Sequence, residues 1–313
     1  MMNVPRKVQL WRRLGIAAGS IVLLCGCGER GETLGRINGV DGGDFDGGSI
    51  AALLPAPRFA APQPVVALSD VDSIDEDPTF TADLLELYFM SNRNGTKDIW
   101  TSTRASATDP WGSPHLVTEL SSSGIDYSPG ISLDGLDIWF ATDRDMTRGR
   151  IWKSSRAARG DAWAAPTPVV ELASGSIDFA PVVDANETTM LFTSNRPGSG
   201  GYDIYWTTRA TTSDAWGSAQ LVPGVNSASD EYDPFTAQSG LVIFFTSMRS
   251  GQGDIYWSAR RSIGEPFQPP TPLADINSGS YDSDSSLSPD LRYMMFSSTR
   301  SGNAEIYETY ALP

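Results

Sequence analysis

Residues 194–206 read SNRPGSGGYDIYW, and this stretch decides how the rest of the chain is interpreted. It predicts a β-hairpin, because a cluster of glycine, proline and asparagine separates two apolar runs. Similar stretches recur along the chain, each with an arginine at the turn. These arginines are Arg93, Arg144, Arg196, Arg249 and Arg300. Their spacings of 51, 52, 53 and 51 residues indicate one supersecondary unit repeated five times.

Other residues keep the same register. An acidic residue stands 18 positions before each arginine: Asp75, Asp126, Asp178, Glu231 and Asp282. A proline follows three residues after the acid in four repeats, and Ser285 takes its place in the fifth. A second acid follows the turn in four repeats: Asp98, Asp203, Asp254 and Glu305. Arg150 replaces it in the second repeat.

Each repeat predicts four short strands, and no segment shows helical periodicity. The sequence therefore predicts an all-β fold, a five-bladed β-propeller of four-stranded antiparallel blades. Residues 59–68 match residues 163–172, the last strand of a repeat, whereas the fifth repeat stops after its third strand. We expect the N-terminal strand to join the C-terminal blade and close the ring, so that residues 58–313 form the propeller.

The first 27 residues have the features of a targeting segment. Four basic residues precede a short apolar run that ends in Leu24-Cys25-Gly26-Cys27. This ending resembles the cleavage box of bacterial lipoproteins, which implies lipidation of Cys27. An ordinary secretory signal is the alternative. Residues 28–57, rich in glycine and aspartate, are predicted to be a disordered tether.

Charge and composition exclude several classes of function. The first 26 residues hold four basic residues and no acid, which leaves 38 acidic and 19 basic residues for the rest of the chain. Nucleic acid and anionic membrane surfaces are therefore poor partners for the folded part. His115 is the only histidine and the only cysteines are Cys25 and Cys27, so the sequence predicts no catalytic triad and no His- or Cys-based metal site.

The repeats resemble those of TolB-type proteins, which carry WD-like β-propeller repeats. The similarity rests on Ser288-Pro289-Asp290, on Phe192–Arg196 and on Asp203-Ile204-Tyr205, and it holds in register through the five repeats. The resemblance implies a periplasmic or surface-exposed interaction scaffold with no shared chemistry. With the lipoprotein signal, it implies a protein of the cell envelope, at the outer membrane and facing the periplasm or the surface.

The five acids that precede the inner strands are the candidate binding residues. If the repeats are equivalent, Asp75, Asp126, Asp178, Glu231 and Asp282 form a ring around the axis, where they would attract a cation or a basic peptide. The alternative is structural: each acid pairs with a repeat arginine. The acids after the turns, such as Asp98, are expected to bind hairpin amides, and the blade with Arg150 is a candidate for a specialised contact.

The sequence thus predicts a lipid-anchored, monomeric binding scaffold that is not an enzyme. Its expected partner is an envelope protein or peptide, and its contact with the membrane is through the lipid alone. No cofactor is expected, apart from a cation that the axial channel could hold. The alternative is a five-bladed glycoside hydrolase or glycan-binding protein, since such enzymes place two carboxylates at the axis as acid and base.

Overall fold

A computed structural model describes residues 56–146, 149–197, 201–236 and 240–313. The predicted signal segment with Cys27, and residues 28–55 of the predicted tether, lie outside these ranges. The described chain forms twenty β-strands and a 3-10 turn at Val170–Leu172. None of its helical segments is long and apolar enough to cross a membrane.

The strands form five four-stranded antiparallel sheets, which are the blades of a β-propeller. Blade 1 contains β2 (Asp75–Phe80), β3 (Glu86–Ser91), β4 (Asp98–Thr103) and β5 (His115–Leu116). Blade 2 contains β6 (Asp126–Ile131), β7 (Asp137–Thr142), β8 (Arg150–Ser155) and β9 (Thr167–Pro168). Blade 3 contains β10 (Asp178–Val183), β11 (Thr189–Ser194), β12 (Asp203–Thr208) and β13 (Gln220–Leu221). Blade 4 contains β14 (Glu231–Thr236), β15 (Val242–Ser247), β16 (Asp254–Ala259) and β17 (Thr271–Pro272).

Blade 5 is assembled from both ends of the described chain. Its inner three strands are β18 (Asp282–Leu287), β19 (Tyr293–Ser298) and β20 (Glu305–Tyr310), and its outer strand is β1 (Gln63–Pro64). In the register of this closure, Gln63 is opposite Glu308 and Pro64 is opposite Tyr307. The predicted five blades and the predicted closure by the N-terminal strand are both confirmed.

The second strand of each blade supplies the core. These strands are apolar runs that are buried along nearly their whole length, as the sequence predicts for strands covered by blades on both sides. Each contributes a fully buried phenylalanine: Phe89, Phe140, Phe192, Phe245 and Phe296. Burial of one such side chain stabilises the fold by about 1.5–3 kcal/mol, so the inter-blade layers are the main source of stability.

The inner strand of each blade carries a bulge at its centre. The pairing with the second strand shifts between the second and fifth residues of the inner strand in all five blades. The third residue has a positive φ between 48° and 58° and is not glycine; these residues are Asp77, Ser128, Ala180, Asp233 and Asp284. A bulge changes the direction in which a strand presents its side chains, so this position departs from the regular alternation.

Strand direction defines two faces of the propeller. Inner strands begin at one face, called here the upper face, and the turns between second and third strands return to it. The turns between first and second strands, and those between third and fourth strands, lie at the opposite, lower face. His115 begins an outermost strand and is exposed.

Candidate functional site

The predicted acids Asp75, Asp126, Asp178, Glu231 and Asp282 are the first residues of the five inner strands. Each is at most 1% exposed. Each forms an ion pair with the arginine of its own repeat, at N–O distances between 2.6 and 3.0 Å. Their carboxylates are therefore committed to the blade, as in the structural alternative considered from the sequence.

Blade 3 shows how the arginine completes this arrangement. Arg196 Nη2 donates to Asp178 Oδ1 at 2.7 Å and to the carbonyl oxygen of Leu172 at 3.2 Å. Its Nε donates to Ser194 Oγ at 3.0 Å, and its guanidinium lies 4.9 Å from the ring centre of Phe192. Because Leu172 belongs to the connection from blade 2, the arginine ties each inter-blade connection to the next sheet.

The acids after the turns have a related role with different donors. Asp98 Oδ2 accepts from Asn94 Nδ2 at 2.9 Å and from Thr96 Oγ1 at 2.6 Å. Asp254 Oδ2 accepts from Ser250 Oγ. The donors described are thus side chains of the turn, whereas the sequence predicts backbone amides. Asp203 and Glu305 occupy the same position in blades 3 and 5.

The unusual turn of blade 2 contains a local ion pair. Arg150 Nη1 lies 3.5 Å from Asp145 Oδ2, and both side chains are about one-third exposed. Exposed pairs of this kind contribute about 0–1 kcal/mol, so the pair adds little to the stability of the blade. The specialised contact predicted for this blade stays a prediction.

An axial cavity of about 50 Å³ lies where the five inner strands meet. It is lined by the third, fourth and fifth residues of every inner strand, which are the residues of the bulges. The ring acids are absent from this lining. The lining of the channel therefore begins two positions after the acids that the sequence predicted to face it.

Three carboxylates in this lining break the fivefold symmetry. Asp77, Asp233 and Asp284 come from blades 1, 4 and 5, and one oxygen of each lies within 4.8 Å of the others. The same position is Ser128 in blade 2 and Ala180 in blade 3. Three carboxylates at such separations repel one another unless a proton or a cation is shared between them.

The surroundings raise the proton affinity of Asp77 and Asp233. Burial raises the pKa of Asp77 and of Asp233 well above the ordinary value, and the charge of Asp284 raises both further. Burial followed by the charge of Asp284 also raises the pKa of Glu76 to about 7. Lys97, whose Nζ lies 3.6 Å from Glu76 Oε2, opposes this rise.

An aromatic patch lies beside the channel on the upper face. Phe179 contacts Tyr127, Tyr202 and Tyr232 at ring-centre distances of 6.0, 5.6 and 6.2 Å, and Tyr202 lies 5.3 Å from Tyr232. Tyr232 donates a hydrogen bond of 2.8 Å to Asp230. Burial raises the pKa of Tyr127, and the charge of Asp77 raises it further, which shows how close the patch is to the channel.

Both features were missed by reasoning from the sequence. Asp77, Asp233 and Asp284 stand two residues after ring acids, and their departure from the repeat at blades 2 and 3 is the signal that could have revealed them. Tyr127, Phe179 and Tyr232 follow ring acids directly, so their shared repeat position could have predicted that they converge.

No protein-family model matches this chain, and no curated protein matches it significantly. Solved structures do share its fold. TolB from Acinetobacter baumannii aligns with 14% identity over 79% of this chain and 56% of its own length, with a TM-score of 0.50. The present chain thus spans little more than half of that protein.

Glycoside hydrolases are also similar in structure. An α-L-arabinofuranosidase from Podospora anserina aligns with 11% identity over 83% of this chain and 98% of its own, with a TM-score of 0.56. A family 117 glycoside hydrolase from Zobellia galactanivorans aligns with 9% identity over 82% of this chain and 90% of its own, with a TM-score of 0.58. Similarities at these identities show the propeller fold alone, which this chain shares with both a TolB protein and glycoside hydrolases.

Proposed function

We propose that this chain is a lipid-anchored, extracytoplasmic propeller that binds a protein or peptide partner on its upper face and catalyses no reaction. The observation that carries the proposal is the aromatic patch of Tyr127, Phe179, Tyr202 and Tyr232, with the carboxylate of Asp230 at its edge. Clustered aromatic side chains are enriched in binding surfaces and supply most of the affinity there.

Charge indicates the chemistry of the partner. The chain carries a net charge of −15, and the carboxylate of Asp230 accepts a hydrogen bond from Tyr232 at the edge of the patch. Aromatic faces beside carboxylates favour lysine and arginine side chains, through cation–π contacts and ion pairs. We therefore assign the face to a basic segment of an envelope protein.

The size of the axial cavity supports binding over glycoside hydrolysis. In glycoside hydrolases two carboxyl groups flank the scissile bond, so the sugar has to enter the site that holds them. The cavity of about 50 Å³ is small beside ligand sites of about 300 Å³ or more.

Site-specific photocrosslinking in cells that make the full chain tests the partner. A photoreactive phenylalanine analogue at Tyr281, on the upper face and 38% exposed, should yield one protein adduct whose crosslinked segment is rich in lysine and arginine. The same analogue at Tyr310, 52% exposed at the lower end of β20, is the matched control. Equal adducts at both positions, or a crosslinked segment without basic residues, would contradict the proposed face.

Enzyme assays test the claim that no reaction is catalysed. Arabinose-containing polysaccharides, cellotriose and xylotriose incubated with the full chain should release no reducing sugar above the level of an Asp233→Asn variant. Hydrolysis that this substitution abolishes would establish the glycoside hydrolase alternative.

Membrane fractionation tests the anchor. The full chain should sediment with membranes, and Cys27→Ala should release it into the soluble extracytoplasmic fraction, because stable anchoring depends on the acyl chains. Cys25→Ala is the matched control and should leave the distribution unchanged. Membrane association that survives Cys27→Ala would contradict lipidation at this residue.

A further inference from the structure

The axial cavity combines three carboxylates with few compensating groups. Asp77 Oδ2 accepts hydrogen bonds from the backbone nitrogen and the hydroxyl of Ser128, at 3.0 and 3.1 Å. Asp284 Oδ2 accepts one from Ser283 Oγ at 2.9 Å. Among the ion pairs of the described residues, none involves Asp77, Asp233 or Asp284. The cluster is therefore held by neutral donors, and no paired side-chain cation balances its charge.

A second, independent observation comes from Ser285. This residue is 5% exposed, lines the same cavity, and its hydroxyl has no hydrogen-bond partner. Buried hydroxyls are nearly always hydrogen-bonded, so an unpartnered one beside a cavity indicates a ligand that completes it. The other four repeats have proline at this position, so the hydroxyl is particular to the blade that also carries Asp284.

We propose that oxygens of Asp77, Asp233, Asp284 and Ser285 form a binding site for a hard divalent cation, Ca²⁺ in preference to Mg²⁺. All four ligands are oxygen atoms, as hard cations require. One oxygen of each carboxylate lies within 4.8 Å of the others, a separation that a single ion can bridge. Mg²⁺ usually binds through one or two carboxylates and keeps several waters, whereas Ca²⁺ takes about 6–8 oxygen ligands, so three carboxylates and a hydroxyl favour Ca²⁺.

The position of the site gives the cation a structural consequence. The carboxylates come from blades 1, 4 and 5, and blade 5 is the one completed by β1. Blades 1 and 5 are the first and last along the chain, so the cation links them at the axis while β1 joins them at the rim. Bound cation should therefore stabilise the closed ring, a role that does not depend on the proposed partner.

Calorimetric titration of CaCl₂ into the full chain, after removal of metals with chelator, tests the proposal. We expect one site per chain, a Tm that rises with Ca²⁺ concentration, and weaker binding of Mg²⁺. Asp233→Asn should weaken Ca²⁺ binding about tenfold or more, since affinity follows the number of charged ligands. Asp161→Asn, which removes an equal charge from an exposed position, should leave the affinity unchanged.

Two further measurements separate a cation site from a cluster that only holds the blades. Ser285→Pro restores the residue of the other four repeats and should fold normally, yet bind Ca²⁺ several-fold more weakly. Titrations in buffers of different ionisation enthalpy should show protons released on binding, because three carboxylates this close together share a proton that the cation replaces.

Several results would overturn the proposal. One is the absence of any Ca²⁺ dependence in the Tm of the unsubstituted chain. Another is Ca²⁺ binding that survives both Asp233→Asn and Ser285→Pro with unchanged affinity. Tighter binding of Mg²⁺ than of Ca²⁺ would contradict the choice of ion. Loss of the photocrosslinked partner with Ca²⁺ binding intact would instead count against the upper-face proposal alone.

Discussion

A buried ion pair in each blade fixes the connection between neighbouring blades. Asp178 and Arg196 form this pair in blade 3. The side chain of Asp178 is 2% exposed, and the guanidinium of Arg196 also donates hydrogen bonds to a carbonyl oxygen and a hydroxyl. Removal of one partner from such a pair costs about 3–5 kcal/mol, because the other charge stays buried without compensation. The repeat arginines are thus required for stability, and the residues that differ between blades are the ones available for function.

Arg196→Ala should lower the free energy of unfolding by about 3–5 kcal/mol for this reason. The urea midpoint of the full chain measures the effect. Arg292→Ala, at an exposed position of the lower face, is the control and should change the midpoint little. A midpoint for Arg196→Ala equal to that of Arg292→Ala would contradict the assigned role of the pair.

Glu76 predicts a dependence of stability on pH. Its folded-state pKa of about 7 lies above the ordinary value of 4.5 for a glutamate, so the folded chain binds this proton more tightly than the unfolded chain. Stability from this group is present below about pH 4.5 and is lost as the pH rises through about 7. Without metal, the urea midpoint should therefore fall over this interval, and Glu76→Gln should flatten the decline. A variant with an unchanged slope would exclude Glu76 as its source.

At the scale of elements, a second set of arginines joins adjacent blades at the lower face. Arg156 follows β8 and stacks on Trp163 at 4.5 Å, while its guanidinium pairs with Glu86 at the start of β3. Arg260 is the equivalent residue of blade 4 and stacks on Phe267 at 4.5 Å. Thr189 begins β11 where Glu86 begins β3, so blade 3 offers Arg260 no carboxylate there.

This difference predicts unequal effects of the same substitution. Arg156→Ala should cost about 1.5–3 kcal/mol more than Arg260→Ala, because it also removes a charged hydrogen bond to Glu86, which keeps Arg159 as its partner. Arg260→Ala removes hydrogen bonds to two carbonyl oxygens and should cost about 1–3 kcal/mol. Denaturant unfolding of the two variants gives the comparison, and equal losses would show that Glu86 contributes nothing.

At the scale of the molecule, stability depends on closure of the ring. The outer strand β1 has two residues, and its pairing with β20 is supported by Thr309 Oγ1, which donates to the carbonyl oxygen of Ala60 at 2.7 Å. Closure covers the outer edge of β20, which would otherwise be open to pairing with another chain. The last blade is therefore completed at the rim by β1, and the proposed cation would link it to the first blade at the axis.

A disulfide across this closure tests it. Gln63 and Glu308 are directly opposite, and opposite residues of antiparallel strands have Cα atoms about 4.5–5.5 Å apart, within the range for disulfides. The pair Gln63→Cys and Glu308→Cys should crosslink on mild oxidation, as peptide mass spectrometry would show, and stabilise the fold by about 2–4 kcal/mol. Gln63→Cys with Glu305→Cys is the control out of register. Crosslinking in the control pair alone would contradict the closure.

The architecture could be predicted from the sequence, whereas the chemistry of the axis could not. Regular spacing of Arg93 and its counterparts determines the number of blades, and the similarity of residues 59–68 to an outer strand determines the closure. The spacing does not show that a bulge turns the third residue of each inner strand toward the channel. The repeat pattern therefore predicts Asp75 as the binding residue of blade 1, whereas the carboxylate that lines the channel is that of Asp77.

The central claim is that departures from the fivefold repeat at the axis create a binding site in an otherwise structural scaffold. Anomalous diffraction from crystals of the full chain grown with Ca²⁺ tests it most directly. The account predicts one anomalous peak on the axis, about 2.3–2.6 Å from oxygens of Asp77, Asp233 and Asp284. An axis without a peak at a saturating Ca²⁺ concentration, or a peak held by other residues alone, would contradict it.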